Sequence, residues 1–239
     1  SAMGKYYPTI EEVKRLSTQG NLIPLYTEIN ADLETPVSAY LKIARSPYSF
    51  LLESVEGGER LARYSFIGTE PFKVVKTGRG QPDGEIDPLL LIKENLDLFS
   101  PVLIEGLPRF QGGAVGYLSY DTVKYFEPVP IPDKDPLGLP EAQFLFVDTL
   151  LVFDHIRHKI KVVTHIHLEG HRVEDAYDEA IQRIEVLVNR LAAPLRLEES
   201  GPLESVSDCP KEISSNVTKE EYQAKVETIK EYIFAGDII

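Results

Sequence analysis

The chain has 239 residues, 43% of them hydrophobic, enough for one large core or two small ones. Its net charge of −13 argues against a nucleic-acid partner, which needs clustered Lys and Arg to neutralise phosphates, and equally against binding to a membrane surface. A lone cysteine, Cys209, excludes an intramolecular disulfide and fits a reducing cytoplasmic compartment, and no apolar run reaches the roughly 18 residues of a membrane span.

Residues 1–4, Ser-Ala-Met-Gly, read as an expression scar around a native start at Met3, with no signal peptide after them. Thr9 and Glu12 form a capping box for a first short helix with Ile10, Val13 and Leu16 on its apolar side. Leu22 to Ile29 reads as a strand. Thr35-Pro36 then supplies an N-cap and first position for a helix to Ala44.

The next stretch is the most informative. Leu51-Leu52-Glu53-Ser54 reads as a strand, Gly57-Gly58 as a tight reversal, and Arg63-Tyr64-Ser65-Phe66-Ile67-Gly68 as the returning strand. Both faces of the first strand carry apolar residues, which predicts a central position in its sheet. A carboxylate and a hydroxyl stand there where Val or Ile is usual, and Arg63, Tyr64 and Ser65 return polar groups toward the same end. Such a cluster suits a small zwitterion such as an amino acid. A structural Glu53–Arg63 pair with Ser54 ending the strand accounts for the same residues.

Phe72 to Thr77 continues as a strand and residues 78–84 as a polar loop. Asp87-Pro88 opens a helix with the stripe Leu89, Ile92, Leu96 and Phe99. In Gln111-Gly112-Gly113-Ala114-Val115-Gly116-Tyr117-Leu118-Ser119-Tyr120-Asp121, three glycines weaken an apolar strand. They point to a bulge or a close backbone approach, between sheets or beside a ligand. Prolines mark residues 127–140 as a long loop. Gln143 to Asp154 reads as one buried strand, returning after Arg157-His158 as Lys159 to Leu168. His165 and His167 share a face of that partner, with His171 beyond. A solvated face explains them better than zinc, since no cysteine joins them. Residues 172–191 form a helix with an almost unbroken apolar stripe. Thr218 and Glu221 cap a last helix, lined by Tyr222, Val226, Ile229 and Ile233 and ending near Gly236.

The Leu51–Ser54 segment, Gly58-Glu59-Arg60, Arg63–Gly68 and the Gly112–Asp121 stretch together resemble the N-terminal region of anthranilate synthase component I, and Gly236-Asp237-Ile238 matches the junction leading into that family's chorismate-binding region. The resemblance implies that the whole subunit converts chorismate and ammonia to anthranilate and pyruvate in tryptophan biosynthesis. It further implies Mg²⁺, a glutamine amidotransferase partner subunit and feedback inhibition by tryptophan. The inhibitor site is expected to include Ser54, Glu53 and Leu52, with Arg63, Tyr64 and Ser65 as weaker candidates for its wall. No catalytic residue and no metal ligand is expected before Ile239, so the chain alone should be inactive. Aminodeoxychorismate synthase component I, which shares the fold, and a stand-alone amino-acid-binding regulatory module are the alternatives.

The expected fold class is α+β: a layered sandwich of mostly antiparallel sheets with helices on the outer faces, incomplete at the C-terminus. Residues 5–192 form the N-terminal region, 193–217 a loop or linker, and 218–239 the start of the chorismate-binding region.

Overall fold

The computed structural model describes residues 5–53, 63–131, 135, 137–195 and 214–239. The chain divides into two units, residues 1–196 and 197–239.

The first unit is built on two antiparallel sheets. Strands β1 (Leu22–Asn30), β2 (Phe50–Glu53), β3 (Tyr64–Gly68), β7 (Leu150–Asp154) and β8 (Lys159–His167) form one, in the order β1-β8-β7-β3-β2. Strands β4 (Lys73–Thr77), β5 (Gly113–Leu118) and β6 (Ala142–Val147) form the other, in the order β4-β6-β5. Every pairing is antiparallel.

Three helices, α1 (Ile10–Leu16), α2 (Pro36–Ile43) and α4 (Val173–Ala192), cover the outer face of the five-stranded sheet. Val13, Ile43, Ala180 and Ile184 meet Ile23, Ile67, Phe153 and Val162 in the largest core cluster. Between the sheets, Leu145 and Val147 pack with Leu150, Val152 and Val163. Outside the smaller sheet, α3 (Pro88–Leu96) sets Ile92 against Val75 and Phe146. The layers thus run helices, sheet, sheet, helix, the α+β sandwich expected from the sequence.

Local signals act as read. Thr9 Oγ1 accepts from Glu12 N and Thr9 N donates to the Glu12 carboxylate at 2.8 Å, opening α1. Asp87 accepts from Leu89 N at 2.9 Å and opens α3. At their other ends two helices complete one another. Arg190 Nη1 of α4 donates to Ile43 O of α2 at 3.1 Å, and Lys42 Nζ of α2 donates to Leu191 O of α4 at 3.1 Å. Each cation satisfies a carbonyl that its neighbour's last turn leaves open.

The structure corrects four expectations. Residues 143–154 are two strands, β6 and β7, in different sheets. The chain crosses at Asp148-Thr149, where Asp148 Oδ2 accepts from His167 Nε2 at 2.7 Å and the Thr149 and Thr164 hydroxyls lie 2.7 Å apart. Strand β2 is an edge strand rather than a central one. It has four residues, and Leu52 and Glu53 are exposed. On the histidine face of β8, His165 is buried rather than solvated, because β8 lies between β1 and β7 with the second sheet above it, while His167 is only partly covered. A 3₁₀ turn, Tyr120–Tyr125, follows β5 where strand was read to residue 121.

The second unit holds α5 (Lys219–Ala235), opened by a Thr218–Glu221 capping box and ended by Gly236 at φ 82°. Tyr222, Ile229, Tyr232 and Ile233 along it are exposed. Among the described residues no helix is long and apolar enough to cross a membrane.

Candidate functional site

The strand pair β2–β3 forms as expected, with Glu53 opposite Ser65 and Leu52 opposite Phe66. Ser54 and the Gly57-Gly58 turn lie outside the described residues. Pleating distributes the other candidates over both faces of the sheet. Residues directly opposite share a face, so Glu53 and Ser65 lie on the helix-covered side with Leu51, Ile67 and Phe153. Leu52, Tyr64 and Asp154 lie on the other.

On the first face Ser65 is 1% exposed and its hydroxyl shares a 2.8 Å hydrogen bond with His155 Nε2. The His155 ring stacks on Phe153 with centroids 5.3 Å apart. Glu53 stands exposed at the strand end. On the second face Arg63 pairs with Asp154, not with Glu53. Its Nη2 and Nε reach Asp154 Oδ2 at 3.0 and 3.3 Å, and its guanidinium lies 4.8 Å above the Tyr64 ring. Burial pushes the Asp154 carboxyl up, but the Arg63 hydrogen bonds and the amides of Arg157 and Ile156 outweigh it and hold it below the usual range. Arg63 and Asp154 thereby also fix the turn between β7 and β8. Glu53 has no hydrogen-bond or ion-pair partner among the described residues, whereas the Arg63 fork is already engaged.

A second place was not named from the sequence. At one end of the sandwich the sheets enclose a cavity of 240 Å³. Leu22, His165 and His167 come from the larger sheet, Phe146 from β6, Phe72 from just before β4, and Leu96, Phe99 and Arg109 from α3 and the segment after it. Phe72 meets Phe99 edge to face at 6.0 Å and lies 6.3 Å from Phe146. His165, 3% exposed, lies 2.8 Å from Asp148 O through Nδ1. A carbonyl only accepts, so Nδ1–H donates and the neutral ring keeps its proton there. Burial pushes its pKa down against the opposing pull of Asp148. Burial likewise pushes Asp148 up, but the His167 hydrogen bond, the Arg183 charge and the Thr149 hydroxyl prevail and hold it low. Gln111 Oε1 is buried without a hydrogen-bond partner among the described residues.

The glycine motif belongs to this cavity. Gly112 has φ +154°, and a Cβ there would come within 3.0 Å of the His165 ring. A Cβ on Gly116 would collide with the Gln143 carbonyl on β6. The close backbone approach read from the sequence is therefore present, against a histidine and a neighbouring strand. Among the described residues no group of three or more His, Cys, Asp or Glu is placed to hold a metal ion.

The sequence pattern of chorismate binding enzymes matches residues 47–239. Among curated proteins, the chain is 41% identical to the probable anthranilate synthase component 1 of Schizosaccharomyces pombe, over 98% of this chain and 47% of that protein. It is 38% identical to anthranilate synthase component 1 of Acetivibrio thermocellus, over 98% of this chain and 49% of the relative. The same protein of Pseudomonas aeruginosa is also 38% identical, over 95% and 48%. The chain spans about half the length of the curated relatives it matches. The crystal structure of anthranilate synthase component I from Streptococcus pneumoniae TIGR4 superposes with a TM-score of 0.54, over 87% of this chain and 46% of that one. At 23% identity that likeness concerns the fold.

Proposed function

The chain belongs to the family of chorismate-binding enzymes, and from that membership we propose that it is the N-terminal portion of an anthranilate synthase component I. The whole subunit would convert chorismate and ammonia to anthranilate and pyruvate in the cytoplasm, with ammonia delivered by a glutamine amidotransferase subunit. The observation that carries this reading is the alignment of 98% of the chain, at 41% identity, with about half of a relative of that name.

The chemistry is assigned outside this chain. Mg²⁺ is the proposed cofactor, but the described residues do not offer it a ligand set. What this portion contributes is an inhibitor site at the β2–β3 end. With the ligand straddling the free edge of β2, Glu53 would attract the ammonium of tryptophan on one face, Ser54 would bond one of its charged ends, and Leu52 would meet the indole on the other. Tyr64, Ser65 and Arg63 would hold the wall in shape.

The 239-residue chain, given chorismate, Mg²⁺ and ammonium, is expected to produce no anthranilate fluorescence. The polypeptide extended to the length of its relatives is expected to produce it. Turnover by the short chain, or aminodeoxychorismate as the product of the long one, would overturn the assignment.

A further inference from the structure

We propose that the cavity at the end of the sandwich is a binding site for a small aromatic carboxylate, its ring among Phe72, Phe99 and Phe146 and its anionic group on Arg109. The inference rests on the geometry of the first unit and is independent of the reading given under Proposed function.

Size sets the first limit. A cavity of about 150 Å³ lined by apolar side chains accepts benzene. The 240 Å³ here leaves room for one ring and a substituent of a few atoms. The walls set the second. Three phenylalanines present edges and faces at centroid separations of 6.0 and 6.3 Å, an arrangement that receives a further ring in offset or edge-on contact. The His167 ring extends the same cluster, 5.8 Å from Phe99.

Charge decides the rest. Asp148 is the one carboxylate among the lining residues, and both its oxygens are engaged, Oδ2 by His167 and Oδ1 by the Thr149 hydroxyl at 2.9 Å. His165 is neutral and bonded to Asp148 O. Arg109, exposed at the mouth, has no hydrogen-bond or ion-pair partner among the described residues. In a chain of net charge −13, an unmatched guanidinium beside an aromatic cavity is a receptor for an anion attached to a ring. Neither a free anion nor an uncharged ring uses both features.

Calorimetric titration of the 239-residue chain with benzoate, benzyl alcohol and acetate tests the assignment. Benzoate is expected to bind with 1:1 stoichiometry, and the other two at least about tenfold more weakly. Arg109→Gln, an exposed position where folding is undisturbed, should weaken benzoate about tenfold, equivalent to roughly 1.4 kcal/mol, and leave benzyl alcohol unchanged. The proposal fails if benzoate shows no saturable binding, if acetate binds equally well, or if Arg109→Gln binds benzoate with the affinity of the parent chain.

Discussion

Strands β8 and β2 belong to the same sheet, and both carry polar residues where apolar ones are usual, yet those residues meet opposite fates. On β8, Lys161, Thr164 and His165 are each less than a tenth exposed, and each is matched within the fold. Lys161 donates to Gly106 O and lies over the Tyr26 ring. Thr164 Oγ1 accepts from Arg183 Nε at 3.1 Å, and His165 is tied to Asp148 O. On β2, Glu53 is exposed at the sheet's edge with no such anchor among the described residues. A buried polar group is retained when the chain itself supplies its partner. One at an edge strand is free to take its partner from solution. Polarity on the central strand is thus matched inside the fold, while at the edge it leaves a group open to solvent.

Three measurements can break or sharpen that contrast. His165→Ala removes an enclosed ring and leaves Asp148 O without its donor, which should cost about 2–5 kcal/mol in urea denaturation. Glu53→Ala should stay within about 0.5 kcal/mol of the parent. Equal costs at the two positions would erase the distinction.

The edge should respond to ligand instead. A hydrogen bond to a charged group contributes about 1.5–3 kcal/mol. In the polypeptide extended to the length of its relatives, Ser54→Ala should therefore weaken tryptophan inhibition roughly 10–150-fold. Uninhibited turnover should be unaffected. Unchanged half-inhibition, or activity lost together with it, would return Ser54 to a purely structural role.

The smallest effect is a pH dependence from the centre. His165 is kept neutral by burial, reinforced by His167 and Arg183 and opposed by Asp148. Below about pH 6.5 the unfolded chain takes up a proton there that the folded chain refuses. Stability should then fall as pH drops from about 6.5 toward the lower folded value, by at most about 1.4 kcal/mol per pH unit from this group. Asp148 and Asp154, held low in the fold, add losses only when pH falls below about 3.8. Denaturation midpoints at pH 7 and 5.5 check this, and His165→Phe should show the shallower slope. A parent slope no steeper than that of His165→Phe would mean that the ring is protonated inside the fold.

How much of this was legible depended on distance along the chain. The capping boxes at Thr9 and Thr218 and the hairpin of β7 and β8 are local, and each forms where its residues said it would. The β2–β3 pairing was readable from one stretch, but the partner of Arg63 is Asp154, 91 residues away, and no local pattern names it. The break at Asp148-Thr149 was hidden because an apolar run looks alike whether it stays in one sheet or crosses to another. The edge position of β2 depends on which strands flank it, not on its own alternation. The cavity draws on residues from Leu22 to His167. Its traces in the sequence are Gly112 and the histidines of β8, and no local pattern shows that they approach one another.

The exchange of cations between the ends of α2 and α4 has a consequence for how the protein is made. Ile43 and Arg190 are 147 residues apart, and β1 must likewise await β8, its neighbour from Leu22–His167 to Asn30–Lys159. A chain growing from its N-terminus thus exposes α2 with an open last turn, and β1 with a bare edge, until those later partners have been made. β1 is completed once β8 has left the ribosome, and the last turn of α2 only when the far end of α4 has followed. The first unit is therefore a late-closing fold, and a nascent chain stalled before Arg190 would be the form most in need of a chaperone.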